Sequence, residues 1–174
     1  TKTLKGITGA DNAMMSLRYD GKAQWVWGQV VLDNFFEVLE IQPTLGQLSF
    51  PGSDLDIDNA PYAVISHPFW QREFGGSEAV IGKAIMLNEK PFTVLGVAPE
   101  GFKGTMGGLT FDFWIPMSMS ESMGLGQGLS DDKRGWHSIK ALVRLGEGNT
   151  REQAQAYMQT IAAGIATVDP LEGE

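Results

Sequence analysis

The fold of this chain is decided by residues 62–104, which read YAVISHPFWQREFGGSEAVIGKAIMLNEKPFTVLGVAPEGFKG. The continuous apolar run at residues 62–65 predicts a buried strand. Ser66 is a typical helix N-cap and Pro68 suits a first helical turn, so we expect a short helix that ends at Gly75-Gly76. Residues 83–87 and 91–97 flank the turn residues 88–90 and predict a β-hairpin.

The chain on both sides of this stretch continues the alternation of strands and short helices. Residues 4–32 predict a hairpin that turns at Asp20-Gly21, with its first arm clearest from Met14 onward. A short helix through Leu39, the strands 111–116 and 136–145, and a helix opened by the Thr150–Gln153 capping box follow. The predicted fold class is therefore α+β, with mixed strands and short helices.

Composition limits the classes of function that this chain can have. It has 174 residues, of which 43% are hydrophobic, with a net charge of -8 and no cysteine. A chain of this length buries about 70% of its unfolded surface, so a folded core is expected. The negative charge disfavours nucleic acids and anionic lipids as partners. The absence of cysteine excludes disulfides, thiol nucleophiles and zinc–thiolate sites.

Two stretches approach known ion- or phosphate-binding motifs and fail at the diagnostic positions. Asp54, Asp56 and Asp58 begin like a calcium loop, but Asn59 and Ile65 stand where an EF-hand needs glycine and glutamate. Residues 76–83 have five residues where a P-loop has four, and no Ser or Thr after the lysine. The glycines 124, 126 and 128 lack the third glycine of a dinucleotide-binding motif. We expect an acidic loop, a turn and a flexible loop at these places.

The remaining polar and methionine-rich candidates also favour structural roles. Met106, Met117, Met119 and Met123 could supply thioethers to copper(I), but no histidine or cysteine lies near them, so packing is the favoured interpretation. Of the two histidines, His67 follows the Ser66 cap and His137 stands alone. A hydrolase built on carboxylates such as Asp131-Asp132 stays open as an alternative. We expect no catalytic, cofactor-binding or metal-binding residues.

The five tryptophans present the main alternative to a purely structural reading. They are Trp25, Trp27, Trp70, Trp114 and Trp136. All lie in strand-like or helix-like patterns, so packing in the core or between lobes is favoured for them. Period-2 alternation places Trp25 and Trp27 on one face of a strand with Val26 on the other. If those two were exposed, a standalone carbohydrate- or peptide-binding module would gain support.

Several segments in order resemble the MacB-like periplasmic core domain. VVLDNFFEVLEIQPTLGQLSF (residues 30–50) is similar to its strand, aromatic helix and Gly-x-x-F loop. Residues 63–104 match its strand, Trp-containing helix, Phe-Gly-Gly turn, Ile-Gly-Lys hairpin and Gly-Val-Ala-Pro-x-Gly-Phe corner. FDFWIPM (residues 111–117) and ALVRLGEGNTREQAQAYMQTIAAGIA (residues 141–166) are similar to later strands and the closing helix. The resemblance covers about residues 25–168.

This resemblance implies a domain that an ABC-transporter permease of the MacB/FtsX type holds outside the cytoplasmic membrane, periplasmic or extracellular. It implies two lobes, one inserted in the other. The membrane-proximal lobe would comprise residues 1–32 and 136–168, the inserted lobe residues 33–120, and a mobile loop residues 121–135. The family has a strand and helix before the point where Thr1 begins, so the first lobe is expected to be incomplete at its N-terminus.

The resemblance also implies a non-catalytic role in export. The domain would contact substrate or partner proteins and couple ATP-driven motion across the membrane. Its partners would be the permease's own transmembrane helices, an ABC ATPase subunit and a periplasmic adaptor protein, with a dimer in the full transporter. Loops 44–60 and 117–135 are expected to carry the partner-binding patches, because they are long and polar or Met-rich.

Overall fold

The computed structural model describes residues 3–51, 61–120, 122–125 and 139–168, with side-chain surroundings given as far as Ile161. Its strands are β1 (Leu4–Tyr19), β2 (Lys22–Val31), β3 (Leu45–Gly46), β4 (Tyr62–Ile65), β5 (Ala84–Leu87), β6 (Lys90–Val97), β7 (Phe113–Pro116) and β8 (Lys140–Leu145). Its α-helices are α1 (Phe35–Val38), α2 (His67–Phe74) and α3 (Arg151–Val168), with short 3-10 turns at Glu78–Val80 and Met117–Met119. The predicted α+β class is confirmed.

Six of the strands close into a barrel-like sheet. Their order is β1, β2, β7, β4, β6 and β5, and β5 returns to β1 through Leu17 and Arg18. The β2–β7 and β4–β6 pairs are parallel, and the other pairs of the ring are antiparallel. Closure satisfies backbone groups that an open sheet would leave at its edges. β8 pairs with the first part of β1, and β3 pairs with β6 outside the ring.

β1 is the longest strand and takes part in both regions of sheet. Residues 4–10 pair with β8, residues 10–19 pair with β2, and Leu17 and Arg18 pair with β5. The strand begins at Leu4, well before the apolar run at Met14 that the sequence made conspicuous. The division into two lobes stays a prediction. β1 and β2, which precede the predicted boundary at residue 33, pair with β5 and β7, which follow it. Most of the predicted loop 121–135 lies outside the described residues.

Both hairpins of the barrel turn through two residues with positive φ. Asp20 and Gly21 have φ of 49° and 72°, and Asn88 and Glu89 have φ of 45° and 65°. Such turns match the twist of the paired strands. The first turn confirms the sequence prediction. The second is one residue shorter than the predicted 88–90 turn, because Lys90 already pairs with Leu87.

The barrel interior forms one hydrophobic core, which α2 closes at one end. Alternate residues of the strands point inward, among them Met15, Val26, Ile85, Phe92 and Phe113. The α2 residues Phe69 and Trp70 and the methionines 117, 119 and 123 join the same core. The Met15 side chain packs against the backbone of Gly28, where a Cβ would lie 2.1 Å from the Met15 Cε atom, so a larger residue would displace the end of that side chain.

A second core covers part of the barrel's outer face. Val64 and Trp114 point outward from β4 and β7, and Phe35 and Phe36 of α1 pack over them. The chain segments before and after β4 and β6 complete this cover with Leu48, Phe50, Phe102 and Phe111. Phe35 and Phe36 are buried, and the side-chain amide of Asn34, which precedes α1, donates to the Ile7 carbonyl at 2.9 Å and does not cap the helix.

Both ends of α2 and the start of α3 lie where capping chemistry predicts. The Ser66 hydroxyl accepts a hydrogen bond from the Phe69 amide at 3.2 Å, and Gly75, with φ of 59°, ends α2. In α3, Gln153 N–H donates to the Thr150 hydroxyl at 3.3 Å and Thr150 N–H donates to the Gln153 side chain at 2.8 Å, a complete capping box. No helix in the described part of the chain is long and apolar enough to span a bilayer.

Candidate functional site

The near-motifs found in the sequence lie in structural positions or outside the described residues. The Asp54–Asp56–Asp58 run, His137, Trp136 and Asp131-Asp132 belong to segments that the structure does not describe. The stretch from Gly76 to Lys83 follows a helix and leads into β5, which is the reverse of a P-loop's strand-to-helix order. Of the three spaced glycines, only Gly124 is described. Within the described residues, no three His, Asp or Glu side chains cluster as metal ligands.

The methionine candidates are separated by the fold. Met117, Met119 and Met123 are buried in the barrel core, at 5%, 3% and 6% exposure. Met106 lies with the outer core, and its sulfur accepts a hydrogen bond from the Asn12 amide at 3.3 Å. The four thioethers therefore do not converge, and the packing interpretation is confirmed for them.

His67 and Ser66 also have structural surroundings. The His67 ring packs edge-on against Trp70, with ring centres 5.4 Å apart. Ser66 is fully buried, caps α2, and its hydroxyl lies 3.4 Å from the Asp112 carboxylate. Each contact stabilises the start of α2, as predicted for this pair.

The main ionic cluster of the barrel holds α2 against the start of β7. Arg72 contacts the Glu73 carboxylate at 2.9 Å and the Asp112 carboxylate at 3.4 Å. Burial raises the pKa of Asp112, and the neighbouring Arg72 opposes that rise. Because the Arg72 side chain extends from α2 to the Asp112 carboxylate, this ion pair holds the helix against the residue that precedes β7.

Gln29 organises a buried polar network that the sequence did not reveal. Its carbonyl oxygen accepts hydrogen bonds from the Trp114 indole at 3.0 Å and the Thr105 amide at 3.3 Å. Its amide nitrogen donates to Asn12 at 2.9 Å and to the Thr105 hydroxyl at 3.0 Å. The side chain ties three separate segments of the outer face together, and a glutamine in a largely apolar strand gives no sign of such a role in the sequence.

The tryptophans divide into two groups. Trp70 and Trp114 are buried, as predicted. The prediction that Trp25 and Trp27 pack in a core is wrong: they are 70% and 38% exposed. The predicted alternation is correct, since Val26 points into the barrel, but the face opposite Val26 lies beyond the reach of α1 and the covering segments. Met14, directly opposite Trp27 on β1, is 48% exposed.

These three side chains form what we term the hairpin patch: Met14, Trp25 and Trp27. All three side chains are exposed and adjoin one another on the outer face of the β1–β2 hairpin. The loops predicted to carry partner-binding patches, residues 44–60 and 117–135, are described in part, and their large apolar side chains there are mostly buried. Leu48, Phe50 and the methionines 117, 119 and 123 in those loops are buried. Thr44, Gln47, Ser49 and Pro51 in the first loop are exposed, and residues 52–60, 121 and 126–135 lie outside the described residues, so the prediction stays untested.

A second cluster connects the β1–β8 region to α1. Glu40 pairs with Lys5 of β1 and, at 3.1 Å, with Arg144 of β8. The Arg144 guanidinium also donates to the Val38 carbonyl at the end of α1. The hydrogen bond from Lys5 and the charge of Arg144 lower the pKa of Glu40. The cluster fastens α1 to the strands that lie outside the barrel ring.

Comparison with known proteins agrees with this architecture. The family model of the MacB-like periplasmic core domain matches residues 3–161. A curated relative, the probable syringafactin export ATP-binding/permease protein SyfD of Pseudomonas syringae pv. tomato, is 30% identical over 97 residues. That match covers 56% of this chain and 14% of the relative. The chain thus spans a small part of the relative's length.

Three solved structures share the fold at low sequence identity. The periplasmic region of MacB from Actinobacillus actinomycetemcomitans superposes with a TM-score of 0.70 at 15% identity, covering 95% of this chain and 69% of that one. The extracellular domain of the noncanonic ABC-type transporter YknZ from Gram-positive bacteria gives 0.64 at 15% identity, covering 93% and 78%. A domain of a putative permease protein from Porphyromonas gingivalis gives 0.62 at 17% identity, covering 94% and 71%.

The family match spans most of the chain, and the barrel-like sheet with its short helices is the fold of those structures. The resemblance seen in the sequence is confirmed, and so is the expected location outside the cytoplasmic membrane. The chain belongs to the family of MacB-like periplasmic core domains, and it is a periplasmic or extracellular domain of a MacB-like ABC permease.

Proposed function

We propose that this domain is a non-catalytic coupling element of an ABC export permease. It contacts substrate or partner proteins outside the membrane and carries ATP-driven motion of the permease to that contact surface. The observation that supports this role is β1, which runs without interruption from its pairing with β8 into the barrel wall. Apart from a register shift between Leu4 and Gly6, the strand is continuous, so a displacement can pass along it from one region to the other.

The ion pairs around Glu40 support the same proposal. A displacement of β8 moves Arg144, which is bonded to the Val38 carbonyl and to Glu40. Lys5 of β1 holds the same glutamate. The Gly6 backbone also lies close to α1, since a Cβ there would meet Val38 side-chain atoms at 2.9 Å. Motion of the β1–β8 region therefore reaches the outer core through α1 as well as through the barrel wall.

The proposal includes the partners and the lobe arrangement. The partners are the permease's own transmembrane helices, an ABC ATPase subunit and a periplasmic adaptor protein, with two copies in the full transporter. Export by the curated relative is what its name states, and it is consistent with this assignment. We also propose residues 1–32 with 136–168 as the membrane-proximal lobe and residues 33–120 as the inserted one.

The test measures distances in the full-length permease with its ATPase subunit. These 174 residues contain no cysteine, so in a permease whose other cysteines have been replaced, spin labels can be placed singly at Lys90→Cys in the barrel and as a pair at Lys90→Cys and Lys140→Cys. We expect the distance between the two copies' barrel labels to change when ATP hydrolysis is trapped, while the pair within one copy keeps its separation. Identical distances between copies in both nucleotide states would refute the coupling role.

A second candidate function has one observation in its favour. The exposure of Trp25 and Trp27 is the feature that a carbohydrate- or peptide-binding module requires. Both functions are compatible, because a coupling domain also needs a contact surface. Quenching of tryptophan fluorescence by acrylamide, measured by stopped-flow or at steady state, shows whether these tryptophans are accessible to a ligand. Strong quenching of Trp25 emission, in a variant that keeps only that tryptophan, supports an exposed binding surface.

A further inference from the structure

The β1–β2 hairpin carries a free strand edge beside the hairpin patch. β2 pairs with β1 over its whole length, but it pairs with β7 only from Gly28 to Val31. Residues 22–27 therefore have no strand beside them on the side away from β1, within the part of the chain that the structure describes. An exposed edge of this kind is a template for pairing with another extended segment.

The hydrogen-bond pattern of the hairpin shows which backbone groups face that edge. In a two-residue hairpin the pair beside the turn, Tyr19 and Lys22, exchanges hydrogen bonds, and bonded pairs then alternate. Trp25 and its partner Ser16 thus point their N–H and C=O groups away from each other. Ser16 bears this out, because its carbonyl accepts from the Asn88 amide and its N–H donates to the Asn88 side chain, both at 2.9 Å or less.

The same alternation leaves outward-facing groups of Ala23 and Trp25 open. The Trp27 carbonyl faces the same way and already accepts a hydrogen bond from the Asp112 amide at 2.8 Å. No backbone or side-chain partner within the described residues takes the groups of Ala23 and Trp25 on this side. The unpaired edge thus runs from Ala23 to Trp27. Lys22, which precedes it, lies close to α2, with its ammonium 3.9 Å from the Glu73 carboxylate. The edge is long enough for a short extended segment.

The side chains flanking the edge define the chemistry of the partner. The outer face of the hairpin at this level presents the hairpin patch together with Ser16, Arg18 and Ala23. It holds one positive charge, that of Arg18, and no carboxylate, although the whole chain has a net charge of -8. Arg18 is exposed and has no ion-pair partner within the described residues. The surface therefore favours an apolar segment that carries a carboxylate.

The area of the patch argues against a second copy of this chain as the occupant. A fully covered aromatic side chain buries about 150–250 Å², so three partly exposed side chains offer on the order of 300–400 Å². A stable protein–protein interface needs about 800 Å² on each partner. A single extended peptide that also gains main-chain hydrogen bonds does not need that area.

We propose that the edge of β2 at residues 23–27 captures an extended peptide segment by strand addition. The peptide's alternate apolar side chains contact Trp25 and Trp27, and a carboxylate of the peptide pairs with the long side chain of Arg18, which extends across the small Ala23 beside it. Main-chain hydrogen bonds to Ala23 and Trp25 fix its position. This site does not depend on the coupling role, since it concerns only what the hairpin binds.

The test uses the 174-residue chain and a capped six-residue peptide of alternating valine and tyrosine that ends in aspartate. Binding is measured by titration calorimetry, and amide exchange is followed by NMR. We expect saturable binding, with exchange at Ala23 and Trp25 slowed in the complex. Trp25→Ala weakens binding at least about tenfold, as removal of an aromatic anchor does. Arg18→Gln weakens it about two- to fivefold, as for an exposed ion pair.

Two controls distinguish strand addition from non-specific binding to exposed apolar side chains. Tyr157→Ala removes an exposed aromatic side chain on α3, and it should leave the affinity unchanged within about twofold. A peptide N-methylated at alternate residues keeps its side chains but cannot pair as a strand, and it should bind at least about tenfold more weakly. Equal affinity of the methylated peptide, or no saturable binding at millimolar peptide, overturns the proposal. So does binding of a chitin-type oligosaccharide or of phosphatidylglycerol vesicles at the hairpin without binding of the peptide.

Discussion

The two halves of β2 differ in what covers their outer face. From Gly28 to Val31 the strand is buried on both sides, with Gln29 and Val31 under the outer core. From Lys22 to Trp27 only the inward side chain of Val26 is buried, and Trp25 and Trp27 face solvent. One strand thus serves as structural wall over half its length and as open surface over the other half. Trp114, which pairs with Gln29 beside the covered half, is fully buried, whereas Trp25 and Trp27 on the other half are exposed.

The largest test of this comparison replaces a tryptophan under the cover. Trp114→Ala removes a fully buried ring that packs against Phe36 and Phe102 and bonds to Gln29. We expect the free energy of unfolding to fall by about 3–5 kcal/mol, as for other buried aromatic truncations. Urea denaturation followed by circular dichroism measures it. A decrease in the free energy of unfolding of less than about 0.5 kcal/mol, as for an exposed residue, would mean that the outer core is not closely packed.

The next test lifts the covering segment off the barrel. A Cβ at position 96 would lie 2.1 Å from the Gln47 carbonyl oxygen, which is backbone and cannot move aside alone. Gly96→Ala should therefore lower the free energy of unfolding by about 1–3 kcal/mol through overpacking. Gly107→Ala is the matched control, because a Cβ there meets nothing within 4 Å. Equal thermal midpoints for the two variants would show that β3 is not seated against β6 as described.

The third test removes the polar tie beneath the cover. Gln29→Leu keeps a similar volume but leaves the Trp114 indole and the Thr105 amide without their acceptor. Leaving buried donors unpaired costs about 1–3 kcal/mol in the free energy of unfolding. Amide exchange at Thr105 should become faster in this variant, which distinguishes the loss of the tie from a general loss of packing. Unchanged exchange at Thr105 would contradict the role assigned to Gln29.

The fourth test concerns Asp112, which lies at the boundary between the two halves of β2. Its backbone N–H donates to the Trp27 carbonyl, and its side chain is the group that titrates. Burial raises the pKa of the Asp112 side chain above its ordinary value of 3.8. Between the unfolded-state pKa of about 3.8 and the higher folded-state pKa, the folded protein binds more protons than the unfolded protein. The free energy of unfolding therefore falls as the pH rises through this range. Asp112→Asn should remove that part of the pH dependence. Parallel stability curves of both proteins from pH 3 to 7, about the range in which carboxylates titrate, would disprove it.

The smallest effect is expected on the open half. Trp25→Ala removes a side chain that is 70% exposed, so the free energy of unfolding should change within about 0.5 kcal/mol. The urea midpoint, compared with that of Trp114→Ala, gives the contrast directly. A loss of several kcal/mol at Trp25 would mean that another part of the chain covers the hairpin patch.

The sequence carried much of the fold because local chemistry decided it. The Asp20-Gly21 turn, the Ser66 cap, the Gly75 stop and the Thr150–Gln153 box each depend on neighbours in the chain. The turn at Asn88-Glu89 was harder, since a glutamate with φ of 65° is not a residue that favours this conformation. Closure of the barrel was not visible at all, because the β2–β7 pairing joins residues far apart in the chain.

The candidate site was predictable only in part for a similar reason. Alternation placed Trp25 and Trp27 opposite Val26 correctly, yet alternation does not tell which face is covered. That depends on how far α1 and the segment around Phe102 and Phe111 extend over the barrel, which is a long-range property. The free edge of β2 follows from β7 beginning at Phe113, level with Gly28. No local pattern in residues 22–27 encodes it.

The length of β1 has a mechanical consequence. A strand rises about 3.3 Å per residue, so its 16 residues form a lever about 50 Å long. A tilt of about 5° at the end held by β8 sweeps the far end through about 4 Å, close to the spacing between neighbouring strands. Since β2 is bonded to β1 along the whole hairpin, the arc at Trp25 is nearly as large. Under the proposed coupling role, a small rotation at the β8 end of β1 therefore gives a displacement of several ångströms at the hairpin turn.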